Sequence, residues 1–289
     1  MEKSTVVEFL ERVLSRPVEV YSFKAVGGGS ISNAYKLETS TGNYFLKADS
    51  RAEAAQMFRA EGKGLKLLRA NSRFTIPDFI GRDAGSSTAM LLMEHINSAA
   101  RNKTYWQDLG AWLAELHRTT QQDFGLDTHN FIGSLPQQNN YESTWGEFFI
   151  NQRIIPQARL ALRNGLISAS FMEDVETTLP EIINLMPEEP PSLVHGDLWS
   201  GNLMVDEKGS PCLVDPAVYF GHREMDIAFS RLFGGFSHEF YQSYHNAYPM
   251  EPGIEGRIDL YNLYPLFVHL NLFGRSYFGQ IEMIISRFR

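Results

Sequence analysis

Only one cysteine, Cys212, stands among the 289 residues, so the chain cannot close an intramolecular disulfide. That excludes a small secreted scaffold stapled by cross-links and fits a reducing compartment. Basic residues are in deficit: 26 Lys and Arg face 34 Asp and Glu, for a formal net charge of −8. Neutralising a phosphate backbone needs the opposite sign, at least locally, and no dense Lys/Arg run is present, so nucleic acid is not an expected partner. Long apolar runs are missing too, and no window matches a membrane span. The opening "MEKSTVVEFLERVLSRP" carries Glu2, Glu8 and Glu11 and no unbroken apolar stretch, unlike a secretory signal. The expected location is the cytoplasm. Also absent are the Gly-x-x-x-x-Gly-Lys-Ser/Thr phosphate loop, the Gly-x-Ser-x-Gly nucleophile turn and any metal-ligand spacing among the eight histidines. These gaps remove P-loop nucleotide hydrolases, hydrolases with that turn and zinc enzymes from consideration.

What is present is ordinary for a globular enzyme: 43% apolar and 21% charged residues, too apolar for a disordered chain. The N-terminal third alternates. A helix with Val6, Phe9, Leu10, Val13 and Leu14 at helical spacing opens on a Thr5–Glu8 capping box and ends at Pro17. The strand-like pieces "VEVYSF", "ISNAYKLET" and "YFLKAD" follow. A helix from about Arg51 to Arg69, with a Ser50–Glu53 capping box, precedes the strands "DFIGRD" and "TAMLLME". The pattern predicts a small antiparallel sheet with one inserted helix.

After "EHINSAAR" helical periodicity dominates. Leu109, Trp112, Leu113 and Leu116 form one stripe behind a Thr104–Gln107 capping box. Helices are expected over 143–163, kinked at Pro156, and over 170–185, and again from Arg223 onward with Gly and Pro breaks. The fold class expected is α+β and two-lobed, with a β-rich lobe over residues 1–94 and a mostly helical lobe over 95–289.

Within the helical part lies "LVHGDLWSGNLMVDEKGSPCLVDP", residues 193–216. Asp and Asn favour turns because their side chains bond nearby backbone, so each polar residue here has a purely structural reading when taken alone. Their placement changes that. Asp197 and Asn202 share one loop between strand-like "SLV" and "LMVD", and Asp215 ends the next strand, so a hairpin delivers all three to one end. An Asp carboxylate and an Asn carbonyl are hard oxygen ligands suited to Mg²⁺, which keeps waters and binds substrate phosphates. A further Asp, off the metal, can accept the proton of an attacking hydroxyl. That is equipment for phosphoryl transfer, where catalysis is positioning and charge neutralisation.

Such chemistry needs a lysine for the nucleotide phosphates and an acid to hold it. Strand "YFLKAD" offers Lys47, which alone reads equally as a solvated edge residue. On the following helix the apolar stripe runs Met57/Phe58, Leu65 and Leu68, and Glu61 sits on it. A carboxylate on a buried face needs a partner. Glu53 is the rival, with local work in its capping box. Upstream, "VGGGSIS" contains Gly28, Gly29 and Ser30, where glycines let backbone N–H groups approach phosphates. Gly loop, strand Lys, helix Glu and Asp/Asn/Asp hairpin follow in kinase order. His195 is expected to pack beneath the loop and bond backbone. Asp226 can cap the loop's N–H groups or touch ligand. Cys212 reads as a buried, inert thiol.

"HGDLWSGN" continued by "DPAVYFGHREMDIAFSRLFGGF" resembles the fructosamine kinase (ketosamine kinase) family, in the aminoglycoside-phosphotransferase-like branch of the kinase fold. The likeness extends to "LHRTTQQDFGLDTHNFIGSLPQQN" and "FFINQRIIPQARLA", nearly the whole chain. HGDxxxxN alone marks only the broad branch; the Trp within it, "DPAVYFGHRE" and "NFIGSLPQ" are more specific. The resemblance implies Asp197 as catalytic base, Asn202 and Asp215 as magnesium ligands, Lys47 on the ATP phosphates and Glu61 holding it. It implies Met93, Glu94, His95 and Ile96 as the hinge facing adenine through backbone groups. The implied reaction is ATP-dependent phosphorylation of a ketosamine 3-hydroxyl, on glycated proteins or small adducts, which starts deglycation; ribulosamines stand beside fructosamines as candidates. Some members carry a cysteine in the Gly-rich loop, where this chain has "GGGSIS". Trp199 reads equally as a face for sugar C–H groups and as a core anchor for the loop. The rival readings are another small-molecule kinase of the branch and a nucleotide-binding scaffold without turnover. Oligomeric state is left open.

Overall fold

The computed structural model describes residues 2–27, 32–84 and 87–289. It opens with α1 (Lys3–Leu14), β1 (Val20–Val26), β2 (Asn33–Thr39), β3 (Gly42–Asp49), α2 (Ala54–Asn71), β4 (Phe79–Asp83) and β5 (Ala89–Glu94). The strands form one antiparallel five-stranded sheet in the order β1-β2-β3-β5-β4, with α2 inserted between β3 and β4. Period-2 alternation decides what β3 does. Tyr44, Leu46 and Ala48 are buried with Val6, Phe9 and Leu10 of α1. Phe45 packs with the core that holds Phe58, Leu65 and Leu68 of α2. Lys47, out of phase with Leu46, therefore lies on the α2 face.

The chain continues through α3 (Tyr105–Leu116), β6 (Asn130–Ile132), β7 (Leu135–Gln137), α4 (Trp145–Phe148), a π-helical turn (Phe149–Ile154), α5 (Ile155–Arg163) and α6 (Ala169–Ile183). Then come β8 (Ser192–Val194), β9 (Leu203–Val205), β10 (Pro211–Leu213), β11 (Tyr219–Gly221), α7 (Glu224–Leu232), α8 (His238–Ala247), α9 (Ile254–Phe273) and α10 (Phe278–Ser286). The short strands pair as β6–β7, β8–β11 and β9–β10, all antiparallel. One core joins Phe58, Leu65 and Leu91 of the sheet region to Leu109, Leu113, Leu198 and Phe240. The turn after α2 is tied to β10, with Thr75 N donating to Pro211 O at 3.3 Å and Leu213 N to Thr75 O at 3.1 Å.

Three local expectations are corrected. Helix α1 starts at Lys3 with Glu2 as N-cap, so Thr5 and Glu8 lie inside it; fully buried Val6 anchors the earlier start. Ser50 and Glu53 form no capping box: α2 begins at Ala54, with Glu53 itself in the N-cap position and no side-chain cap bond, and the Asp49 carboxylate accepts from Arg51 N at 2.9 Å. Thr104 does cap α3 in position, but its hydroxyl donates to Asp108 at 2.7 Å rather than pairing with Gln107. Pro156 sits in the first turn of α5, directly after the π-helical turn. That π-helical turn is the irregular part of the expected 143–163 helix.

Candidate active site

The strand–loop–hairpin run from β8 to β11 builds the site. Gly196 follows β8 with φ +81°, and a Cβ there would stand 2.2 Å from the Ala217 carbonyl oxygen, so only glycine lets the loop pass this close. Beneath it His195 is fully buried. Its Nε2 faces Val214 O at 3.0 Å and its Nδ1 accepts from Asp197 N at 3.3 Å, so the ring packs under the loop and holds backbone, as expected. Burial keeps its pKa below the usual histidine value. Asp226, at the start of α7, accepts from the backbone N of His195 at 2.7 Å and of Gly196 at 2.9 Å, which makes it the loop's cap. Burial alone would raise its pKa, but the bonds from His117 and the loop outweigh that and hold the carboxyl below the ordinary range.

Asp197 comes next. Asn202 Nδ2 donates to its Oδ2 at 2.7 Å and its backbone oxygen at 2.9 Å. Burial, helped by the nearby charges of Asp215 and Asp226 and opposed by the Asn202 bond, pushes the Asp197 carboxyl up to about 7. A carboxyl in that range both accepts and releases protons near neutral pH. Val214 N donates to Asn202 O at 3.1 Å, which places Asp215 alongside. Asp215 adopts φ +53°, a left-handed conformation that costs a non-glycine residue on the order of 1–3 kcal/mol.

Lys47 links this hairpin to the sheet. Its Nζ lies 2.7 Å from Glu61 Oε1 and 2.6 Å from Asp215 Oδ1. Burial works against the ammonium, but the two carboxylates overcome it and hold the lysine pKa above its ordinary value. Glu61 is itself pushed up by burial, against the pull of Lys47. The close approach rests on Gly64, one turn further along α2, where an added Cβ would press on Pro216 and Val218 at 3.3 Å. Glu61, not Glu53, is thus the partner of Lys47, and Lys47, Glu61, Asp197, Asn202 and Asp215 form one bonded array.

The remaining sequence candidates divide. Met93 and Glu94 end β5, the Glu94 N–H is spent on Asp78 O at 2.9 Å, and His95 Nδ1 is buried without a partner. Gly28, Gly29 and Ser30 lie outside the described residues. Trp199 is 38% exposed, so it is no core anchor; its ring stands 6.2 Å from Phe233 at 76°. Cys212 is buried, and burial pushes its thiol up to about 12.

Sequence reasoning missed His117, which faces Asp226 at 3.2 Å through Nε2 and Tyr244 OH at 2.8 Å through Nδ1. The signal was available: His117 continues the stripe Leu109, Leu113, Leu116, and a polar group on a buried face needs a partner, the same logic that found Glu61. The second Lys47 partner, Asp215, lies 168 residues away and carries no local signal.

Asn202 Oδ1 and the second Asp215 oxygen take no hydrogen bond among the described residues, and two such hard oxygens are the donor type that fits Mg²⁺. Among the described residues no cluster of three His, Cys, Asp or Glu offers a fuller cage. No helix of the described residues is long and apolar enough to cross a membrane.

The model of a family described as fructosamine kinase matches residues 2–289. Ketosamine-3-kinase of Mus musculus is 33% identical over 301 aligned positions, covering 93% of this chain and 96% of its own. A crystal structure from Haemophilus somnus, described as a fructosamine-3-kinase, superposes with a TM-score of 0.89 at 26% identity, covering 98% and 96% of the two chains. A thermostable mutant of the aminoglycoside phosphotransferase APH(4)-Ia, solved with AMP-PNP and hygromycin B, shares the fold at a TM-score of 0.59 and 18% identity, covering 98% of each chain.

Proposed function

Because this chain belongs to the fructosamine kinase family, we propose that it transfers the γ-phosphoryl group of ATP to the 3-hydroxyl of a ketosamine, a ribulosamine or fructosamine formed on lysine. The observation that carries the reading is the array in which Lys47 joins Glu61 to Asp215 while Asn202 joins Asp215's strand to Asp197. The substrate oxygen attacks the γ-phosphorus, the bond to the β-phosphate oxygen breaks, ADP leaves, and the hydroxyl proton passes to Asp197. Lys47, fixed by Glu61, places a positive charge on the phosphates. Magnesium held by Asn202 and Asp215 would neutralise charge on the nucleotide. Its charge would also pull the Asp197 carboxyl down, toward the ionised form a base needs.

The nucleotide would lie between the sheet and the hairpin, with Met93 to Ile96 facing adenine through backbone and Gly28, Gly29 and Ser30 over the phosphates. We place the lobe boundary at 94/95, where β5 ends. Trp199 and Phe233, exposed and nearly perpendicular beside the catalytic loop, offer aromatic faces to the sugar and its protonated amine. The single buried thiol and the acidic balance support a cytoplasmic setting.

In the product, carbon 2 is a ketone and the phosphate sits on carbon 3. Enolisation toward carbon 1 makes that phosphate an allylic leaving group, and its expulsion followed by hydrolysis frees the lysine amine. A kinase alone would therefore start deglycation. The test is mass spectrometry of a glycated lysine peptide with ATP and magnesium, followed over time. Gain of one phosphate and then loss of the whole sugar is expected. An unmodified peptide alongside phosphorylated choline, homoserine or aminoglycoside would transfer the array to another small-molecule kinase activity. ATP left unconsumed with every acceptor would mark a binding scaffold.

A further inference from the structure

Two stretches singled out in the sequence, "NFIGSLPQQN" and "FFINQR", have no part in the reaction just described, yet the structure joins them to it. The hairpin β6–β7 pairs Asn130 with Gln137, and both side chains are buried. Gln137 Nε2 donates to Ala217 O at 3.0 Å and to Asn130 Oδ1 at 2.7 Å, while Asn130 Nδ2 donates to Val218 O at 2.7 Å. Gln137 Oε1 accepts from Tyr264 OH at 2.6 Å. Every polar atom of this pair is thereby directed, which fixes the amide orientations.

Behind the hairpin, Asn139 Nδ2 donates to Asn130 Oδ1 at 2.8 Å, and Arg153 Nη2 donates to Asn139 Oδ1 at 2.7 Å. Arg153 is fully buried, projects from the π-helical turn and lies 3.8 Å from the Tyr219 ring centre. Its other amino group binds the carbonyls of Gln138 and Gln152. π-Helical turns redirect side chains that a regular helix would place elsewhere, and they concentrate at functional sites.

The carbonyls held by the hairpin belong to the segment that begins at Asp215. That residue's left-handed backbone must be imposed from outside. Val214 N bonds Asn202 O, Pro216 fixes its own φ, and Ala217 is tied at both ends, through its N to His195 O at 3.0 Å and through its O to Gln137. We propose that Gln137 is a positioning residue for Asp215, acting through the Ala217 carbonyl, with Asn130 and Arg153 as its supports. The inference rests on the reading of Asp215 as a metal ligand.

The test compares Gln137→Met, Tyr264→Phe and Asp215→Ala with the parent enzyme. Thr178→Val, a buried change on remote α6, serves as a control for general destabilisation. Two quantities are measured: the magnesium concentration at half-maximal rate, beside KM for a ketosamine, and hydrogen exchange at residues 214–218 in the metal-free protein. Gln137→Met should raise the half-saturating magnesium on the order of tenfold, the effect of about one buried hydrogen bond on an equilibrium. It should leave the ketosamine KM within about twofold and speed exchange at 214–218. Tyr264→Phe, which removes one bond and no packing, should do the same more weakly, so the proposal survives a Gln137 variant that fails to fold. Thr178→Val should move neither readout. An unchanged magnesium curve in the Gln137 and Tyr264 variants, with Asp215→Ala raised, overturns the proposal. If Asp215→Ala is also unchanged, the metal reading fails instead. Exchange in the metal-free protein then decides the hairpin's hold: faster exchange keeps it, and parental exchange removes it.

Discussion

Asn202 spends its amide nitrogen on Asp197, reaching the carboxylate Oδ2 at 2.7 Å and the backbone oxygen at 2.9 Å. One bond thus orients two functions. It leaves Asn202 its carbonyl oxygen for a cation and leaves Asp197 Oδ1 for the substrate proton.

Asp197→Asn should therefore keep nucleotide binding and lose turnover. The substituted amide has similar shape but no proton affinity, and general-base work is typically worth about 10²–10⁴-fold. Steady-state kinetics with a ketosamine, beside ATP titration by fluorescence or calorimetry, separates the two. Near-parental kcat would remove Asp197 from the base's role.

The metal reading predicts that Asp215→Ala raises the magnesium requirement more than Asn202→Ala does, because the aspartate carries charge. Asn202→Ala should also lower kcat at saturating magnesium, since Asp197 loses its orienting donor. A magnesium titration of rate on both variants checks this. Identical, parental curves would show that neither residue holds the cation.

Lys47 sits between two carboxylates, and removing it leaves Glu61 and Asp215 facing each other uncompensated. Lys47→Ala should reduce kcat/KM by roughly 10²–10³, the scale of a lost electrostatic donor. Glu61→Ala should act by the same route, so the double variant should be little worse than Lys47→Ala alone. Multiplying losses would show that Glu61 works independently of the lysine.

Legibility followed the range of the interaction. Lys47 and Glu61 could be paired from sequence because Glu61 betrays itself locally as a charge on an apolar stripe, and Lys47, ambiguous alone, is the cation such a charge needs. The Asp197, Asn202 and Asp215 set was legible because loop and hairpin are short and their spacing is fixed. His117 was missed although its place on an apolar stripe signalled it, and Gln137 and Arg153 carry no such signal. The partners of Gln137 and Arg153, Ala217 and Asn139, are brought up by tertiary packing, and strands of three residues such as β6 and β7 show too little alternation to announce themselves. Capping residues misled for a related reason. Ser50 has the right chemistry for a cap, but packing starts α2 only at Ala54.

The last prediction concerns stability and turns on His222, two residues before Glu224 and fully buried. Its Nε2 faces Pro187 O at 3.2 Å and its Nδ1 accepts from Glu224 N at 3.2 Å, a pairing that suits the neutral ring. Burial, against the favourable charge of Glu224 and with the adverse charge of Arg223, lowers its pKa from 6.5 to about 4. The unfolded chain then binds a proton that the folded one refuses, so stability rises with pH across that interval. No penalty is present above about pH 6.5; it grows as the pH falls toward 4, where the stability lost amounts to roughly 3 kcal/mol at about 1.4 kcal/mol per pH unit. His222→Gln supplies the same donor and acceptor without a titrating group. Urea unfolding of the parent and variant at intervals between pH 4 and 7.5 should show the parent losing stability more steeply below pH 6.5, the two curves running parallel above it. Parallel curves over the whole range would place the acid sensitivity elsewhere, as at buried His195, whose pKa burial also lowers, and not in His222.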